Sequence, residues 1–437
     1  MTVSNPDKEL DYISAGGNKA IRILRPKAYY DPERTAASQL DRDYEEALTS
    51  SGFCIVNYAP IPSRGIDRPT AKMYSHIKYE EKHDGKVIVH RFFMVRERNH
   101  NVLRAIRYIF CNAVEFYLCR KEKNIDILYC SSTPPTQGLM CVFIKKSISR
   151  KAHRTIPFCY NIQDLFPDSL VSTGIAGKKS FLYRIGDKLS DYVYKNADMI
   201  TVISQAMQTT LLHKGVPAEK ITVIPNWIDT ERVHSIKKTK NRLFSELGLD
   251  PNIHYFVYAG NLGLSQGIGT ILQAAKRLAA RKEICILLFG NETRLECYRS
   301  EIQAKGIQNV RLFPLLPVER APEVYCLGDA SIVSCKKGVG KTGVPSKAWT
   351  IMACGRPIVL SFDANTELHD IIVDGECGLF SPAEDADSLA ANIEYLADHP
   401  EECGQYGKNA RTFVEATHAK KTITRELVKS LRELYKK

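Results

Sequence analysis

The sequence predicts two doubly wound α/β domains, and three observations carry that expectation. Short apolar segments of strand length alternate with amphipathic stretches of roughly 10–15 residues along most of the chain, which implies parallel sheets covered on both faces. A polar stretch from Asp229 to Asn241 interrupts the series, and a fresh one begins at HYFVYAGN, 254–261. The length, 437 residues, suits two large α/β domains, and 44% hydrophobic with 25% charged residues is an ordinary globular balance. That composition excludes a chain disordered throughout, a collagen-like chain and a multispan membrane protein.

Taken in order, residues 1–19 (MTVSNPDKELDYISAGGNK) are polar, lack the apolar centre of a signal peptide and read as a tail. Ala20–Arg25 reads as a strand, Ser38–Leu48 as a helix and Phe53–Tyr58 as a second strand, an opening βαβ unit. Pro60–Lys86 gives no clear element before VIVHRFF, 87–93. Further strands read at 125–131, 155–164, 197–204 and 220–226, with a helix over Gln205–Gly215. The second series continues with a helix at 268–280, then ICILLFGN, NVRLFPLL, DASIVSC, a helix near 346–354, PIVLSF and GLFSP. The expected domains are therefore 20–228 and 229–410, with 411–437 a closing helical segment that can return to the first domain. Two such domains facing each other form an interdomain cleft at the carboxyl ends of their strands, where ligands of α/β sheets bind.

Lys plus Arg exceed Asp plus Glu by 61 − 49 = 12, which favours anionic partners. Asn101–Lys121 and Gly138–Arg154 set apolar and basic residues side by side. Either they rest on an anionic bilayer, or they are helices with one side on a sheet and their charges in water. No apolar run approaches the length of a spanning helix. The 13 cysteines are scattered without a CxxC pair, several in apolar runs, and read as free thiols of a reducing cytoplasm. The histidines show no metal-binding spacing. With no helix-turn-helix, RNP or zinc signature, nucleic acid is not an expected partner.

Chemistry concentrates in the second series. FVYAGNLGLSQGIGTILQAA joins a strand to a helix through Gly260, Gly263 and Gly267. Such glycines either bring backbone N–H groups close to a phosphate or simply make a tight turn. In KKGVGKTGVPSKAWTIMACGRP, 336–357, the GVGKT lacks the earlier glycine of a P-loop, because that position is Cys335; ATPase and kinase readings fall. A lysine- and glycine-rich loop remains ahead of a helix start at Pro345, with Ser346 and Lys347 near its positive end.

Together DLFPDS (164–169), ADMITVIS, VIPNWID (223–229), YAGNLGLSQG (258–267), VPSKAWTIMACGRPIV (344–359) and DGECGLFSPAEDADSLA (374–390) resemble the retaining family 4 of GT-B glycosyltransferases. More narrowly they look like its bacterial N-acetylfucosamine transferase branch of O-antigen and capsule assembly. The likeness spans nearly all of 20–415. It implies a GT-B fold, two Rossmann-like domains about a cleft, the first binding the acceptor and the second a nucleotide sugar, with no cofactor and no required metal. It implies a UDP-linked, N-acetylated hexose or deoxyhexose as donor and a lipid-diphosphate-linked glycan as acceptor. The setting it implies is cytoplasmic, peripheral on the anionic inner membrane surface.

The residues carried over are Gly260, Asn261, Gly263 and Gln266 in the first turn, Asn291 and Arg294 toward the nucleotide, and Leu315 beside the base. Ser346, Lys347 and Thr350 complete the donor set. Lys347 offsets the charge of the leaving diphosphate, Glu367 meets the donor sugar and Asp164 the acceptor hydroxyl. Asp168 is a weaker candidate beside Asp164. Asn261 and Gln266 stand where many members have Arg and Lys, though the closest branch shares the neutral pair. Thr342 and Thr350 stand where the family has two glutamates, the later one for the ribose. That departure opens two alternatives: a noncatalytic or partner-dependent subunit, or the same enzyme with another nucleotide.

Overall fold

The computed structural model describes residues 20–33, 38–95, 101–168, 177, 179–340 and 344–437, the side chains at 101, 102 and 105 excepted. The tail expected at 1–19, and Lys341 and Thr342, lie outside them. The chain divides into two units, one running to Pro225 and regaining Thr424–Lys437, the other Asn226–Ile423.

The first unit runs β1 (Ile21–Pro26), α1 (Ser38–Ser50), β2 (Phe53–Pro60), α2 (Arg68–Tyr74), β3 (Tyr79–Lys82), β4 (Val87–Phe92) and α3 (Asn101–Cys119). It continues with β5 (Ile127–Ser131), α4 (Thr136–Ala152), β6 (Phe158–Ile162), α5 (Phe181–Asn196), β7 (Met199–Val202), α6 (Gln205–His213) and β8 (Ile221–Val223). Among the described residues the sheet order is β3-β4-β2-β1-β5-β6-β7-β8. Every pairing is parallel except β3 with β4. That hairpin edge falls in the stretch where the sequence pattern is silent. YEEK has no apolar face to betray a strand, and the hairpin is made by His83, Asp84 and Gly85, all at positive φ.

The second unit runs α7 (Leu243–Glu246), β9 (His254–Ala259), α8 (Ile268–Arg277), β10 (Ile284–Gly290), α9 (Glu292–Ala304), β11 (Val310–Pro314), α10 (Ala321–Tyr325) and β12 (Ala330–Ser334). After these come α11 (Lys347–Ala353), β13 (Ile358–Phe362), α12 (Glu367–Asp374), β14 (Gly378–Pro382), α13 (Ala386–Asp398), α14 (Pro400–Thr417) and α15 (Lys420–Lys436). The order is β11-β10-β9-β12-β13-β14, parallel throughout. The strands are apolar runs because both faces are covered: one core lies toward α11 and α14, the other toward α8 and α13. Each fully buried Leu, Ile or Phe there stabilises by about 1.5–3 kcal/mol.

The closing helical segment expected at 411–437 is made of two helices, the first of which begins earlier. α14 starts at Pro400, which suits a first turn, and ends at Thr417; α15 then runs from Lys420, and from Thr424 onward it belongs to the first unit. There the Arg432 guanidinium donates to the Ser51 carbonyl at 2.6 Å. All 13 cysteines are free, and 11 of them are buried, so they act as small core residues.

Candidate donor site of the second unit

In each sheet the chain departs to both sides of one central strand, β1 between β2 and β5, and β9 between β10 and β12. The carboxyl end of such a strand is where a crevice opens. At β9 the strand leaves through Gly260 (φ +139°), a short 3-10 turn at Leu264–Gln266, and Gly267 (φ +65°) at the start of α8. Gly267 has a steric reason beyond its φ: a Cβ there would stand 3.0 Å from the Cys335 carbonyl oxygen. The turn is strapped to the loop after β12. Ser334 Oγ donates to the Gln266 carbonyl at 2.6 Å, and the Lys336 N–H to that of Ser265 at 2.9 Å. The glycine-rich loop is held from the other side, where the Asp363 carboxylate accepts the N–H groups of Gly338 and Gly340, both at 2.8 Å.

Into this frame α11 sends Lys347. Its Nζ lies 3.9 Å from the centroid of the Tyr258 ring, and a Cβ on Gly260 would stand 3.3 Å from it. The ammonium is buried and has no hydrogen-bond partner among the described residues. Desolvation accordingly lowers its pKa to about 8. The Tyr258 ring offers only a cation–π contact, and its hydroxyl is engaged with the Asn261 carbonyl at 2.7 Å and Gln266 Oε1 at 3.1 Å. A cation taken out of water and given no counter-charge is costly, so the site is built for an incoming anion.

The structure brings Gly260, Gln266 and Lys347 together around Tyr258. It also changes the reading of two of them. The Gly260 N–H does not point to a ligand: it donates to the Phe289 carbonyl of β10 at 3.1 Å. Glycine is needed at 260 for its φ and for the room Lys347 occupies. Gln266 spends its amide oxygen on Tyr258 rather than presenting it. Asn261 is exposed, and Gly263 lies beside its side-chain amide. Asn291, Leu315 and Glu367 follow β10, β11 and β13, on the same carboxyl edge of the sheet. Asn291 is the N-cap of α9, its Oδ1 accepting the Arg294 N–H at 3.1 Å; the Arg294 side chain is exposed. The Leu315 N–H donates to the Gly290 carbonyl at 2.9 Å, leaving its side chain in solvent. Glu367 opens α12 behind the Thr366 cap, half-buried. Ser346 is exposed before α11 and makes no capping bond; Thr350 is half-buried one turn after Lys347.

Asp164 belongs to the first unit, in the loop after β6. The residue is exposed, yet desolvation raises its carboxyl pKa. Its N–H and that of Gln163 approach Ser132 Oγ at 3.5 and 3.0 Å. Asp168 is occupied otherwise: it accepts the Tyr183 hydroxyl at 2.8 Å, with Lys214 Nζ at 3.7 Å. Three residues escaped the sequence reading: Tyr258, Asp363 and Gly290, where any Cβ would collide with Leu262. Asp363 carried a signal, an acid just past the strand PIVLSF, the same feature that singles out Asp164.

Among the described residues no three His, Cys, Asp or Glu side chains gather as metal ligands, and no helix is long and apolar enough to cross a membrane. Two family profiles match successive parts of the chain: Glycosyltransferase Family 4 over 73–232 and Glycosyl transferases group 1 over 239–413. Over 426 residues, 94% of this chain and 100% of the relative, it is 28% identical to the Escherichia coli K12 "Putative colanic acid biosynthesis glycosyl transferase WcaI". Among solved structures it resembles sucrose-phosphate synthase from Thermosynechococcus elongatus (TM-score 0.75, 16% identity, 95% of this chain and 99% of that one). It also resembles Anabaena Alr3699/HepE, solved in complex with UDP and glucose (TM-score 0.67, 16% identity, 94% and 100%). The chain has the GT-B fold, is related to both families and is a glycosyltransferase.

Proposed function

We propose that this glycosyltransferase moves a sugar from UDP to a lipid-diphosphate-linked glycan at the anionic inner face of the membrane, with retention at the anomeric carbon and without a required metal. In this reading the second unit holds the donor and the first the acceptor. The sugar is an N-acetylated hexose or deoxyhexose, as the sequence resemblance implies.

One observation carries the reading: the Lys347 ammonium, buried beside Gly260 at the carboxyl end of β9 and unpartnered among the described residues. Transfer breaks the bond between the anomeric carbon and the diphosphate oxygen, so negative charge grows on the leaving group. An ammonium already stripped of water stabilises that charge strongly and needs no reorganisation. The HepE structure, with UDP on the same fold, supports the choice of nucleotide. The name of the WcaI relative supports cell-surface glycan synthesis. Asp164, exposed in the loop after β6 and with its pKa raised by desolvation, is suited to orient an acceptor hydroxyl and to take its proton as the new bond forms.

The test is calorimetry with UDP, GDP, ADP and dTDP, with and without magnesium, alongside Lys347→Ala. Micromolar UDP binding that ignores magnesium and disappears in the variant is expected. Preference for GDP would replace the donor, and silence toward every nucleotide would overturn the reading. Thr350, where relatives carry a glutamate, motivates a second reading, a noncatalytic subunit. If wild type is inactive and Thr350→Glu restores transfer, that reading prevails.

A further inference from the structure

The first unit carries an apolar groove of about 490 Å³ between α3 and α4, walled by Ile109, Ala113 and Phe116 on one side and Leu139, Met140 and Phe143 on the other. Its size falls in the range of small-ligand pockets, about 300–1,000 Å³. One end is closed by a polar pair, Asn112 Nδ2 donating to Thr136 Oγ1 at 2.7 Å. Around it apolar side chains stand in water: Ile109 is 64% and Phe110 63% exposed, and Tyr117 and Phe143 about half. An outward face of this kind marks an interaction site.

Charge identifies the occupant. The only acid in the α3 sequence is Glu115, fully buried, and α4 has none. The exposed charges past the groove include Lys121, Lys123, Lys146, Arg150 and Lys151, with Arg120 lying over the Phe116 ring at 5.9 Å, while the nearby acid Glu122 accepts the Tyr58 hydroxyl at 2.6 Å. α4 therefore changes from apolar to cationic toward its C-terminal end, and α3 is followed at once by Arg120 and Lys121. A hydrocarbon chain joined to a phosphate has the same two-part character.

We propose that α3 and α4 form the membrane-docking face of this protein, and that the groove between them seats one hydrocarbon chain of an anionic bilayer phospholipid whose phosphate meets the cations beyond it. The inference rests on the membrane-side acceptor proposed above and goes further by naming the surface and the ligand. Ile109 and Phe110 enter the apolar region, and the basic helix ends stay at headgroup level. Cations near such a surface contribute about 1 kcal/mol each.

Phe143→Trp tests it, with the parent chain as reference because Trp227 and Trp349 lie in the second unit. Vesicles of phosphatidylglycerol and phosphatidylcholine, with part of the latter brominated at mid-chain, should quench the introduced indole beyond any quenching of the parent. Binding by co-sedimentation should fall at least tenfold in the doubly exposed variant Ile109→Asp/Phe110→Asp, and severalfold in Lys146→Glu/Arg150→Glu. Calorimetric UDP binding should stay at the parent value in all of them, which separates this inference from the donor-site reading. Binding without quenching, binding indifferent to Ile109→Asp/Phe110→Asp, or no binding would overturn it. So would a dimer in light scattering that this double variant dissolves, because a second copy would then cover the groove.

Discussion

Two buried lysines sit at the carboxyl ends of the two central strands, and their surroundings differ in one respect. Lys27, just past β1, places Nζ 2.6 Å from Asp41 of α1, a carboxylate that also takes Arg25 at 2.6 Å. Desolvation drives the Lys27 pKa down while Asp41 pulls it back. The Asp41 carboxyl, raised by desolvation but held by both cations, ends below its ordinary value. Lys347, beside β9, has desolvation alone. The first lysine is closed into the fold by its own counter-ion; the second meets none among the described residues, and an anionic ligand can supply it. One sheet architecture thus yields a structural cation in one unit and a binding cation in the other. The difference lies in whether a neighbouring helix supplies an acid.

Methionine at each site breaks the comparison most sharply. Lys347→Met should cost about 10³-fold in kcat/KM, the loss of a preorganised charge at the leaving group, while the ligand-free protein becomes more stable in a denaturant titration. Lys27→Met should leave nucleotide affinity unchanged and destabilise by about 3 kcal/mol, the low end for a broken buried pair because Arg25 still faces Asp41. Equal stability losses at the two sites would refute the contrast. Gly260→Ala sharpens it: a Cβ at positive φ, 3.3 Å from Nζ, should displace the ammonium and weaken nucleotide binding about tenfold, more than the same strain at a turn remote from a site.

Proton linkage gives the next test. The native Lys347 ionises near pH 8 and its unfolded counterpart near 10.5, so between those values the unfolded chain binds the extra proton. This group therefore makes the ligand-free protein more stable as pH rises from about 8 to 10.5. Nucleotide affinity moves oppositely, weakening above about pH 8 by up to tenfold per unit as the ammonium is lost. Lys347→Met should flatten the stability profile.

The last test concerns Glu115, whose carboxyl is pushed up to about 8 by desolvation against hydrogen bonds from Gln137 and Cys111. Here the native state keeps a proton that the unfolded chain releases near 4.5. Its contribution to stability thus falls as pH rises toward 8, by at most about 1.4 kcal/mol per unit. Glu115→Gln should remove that slope and leave nucleotide binding as it was.

Much of the architecture was legible because both faces of these sheets are covered. A strand buried on two sides is an apolar run, as in PIVLSF, and the helices between strands have a period of their own. The antiparallel β3 was hidden because an edge strand exposes polar residues on both sides. At the donor site, glycines and a lysine before a helix were visible as types. Their roles were not: Gly260 spends its N–H inside the sheet, Gln266 is tied to Tyr258, and Asn291 caps a helix.

By itself the sequence determined the two doubly wound sheets, the free thiols and the position along the chain of a glycine- and lysine-rich site. These follow from period, composition and spacing, which act over neighbouring residues. Only the tertiary structure decided that the Lys347 ammonium is buried with no acid beside it among the described residues while Lys27 has one, and that α3 and α4 leave a groove between them. Burial and charge pairing join residues far apart in the chain. Lys347 meets a strand that ended 88 positions earlier at Ala259, and no local pattern encodes that meeting.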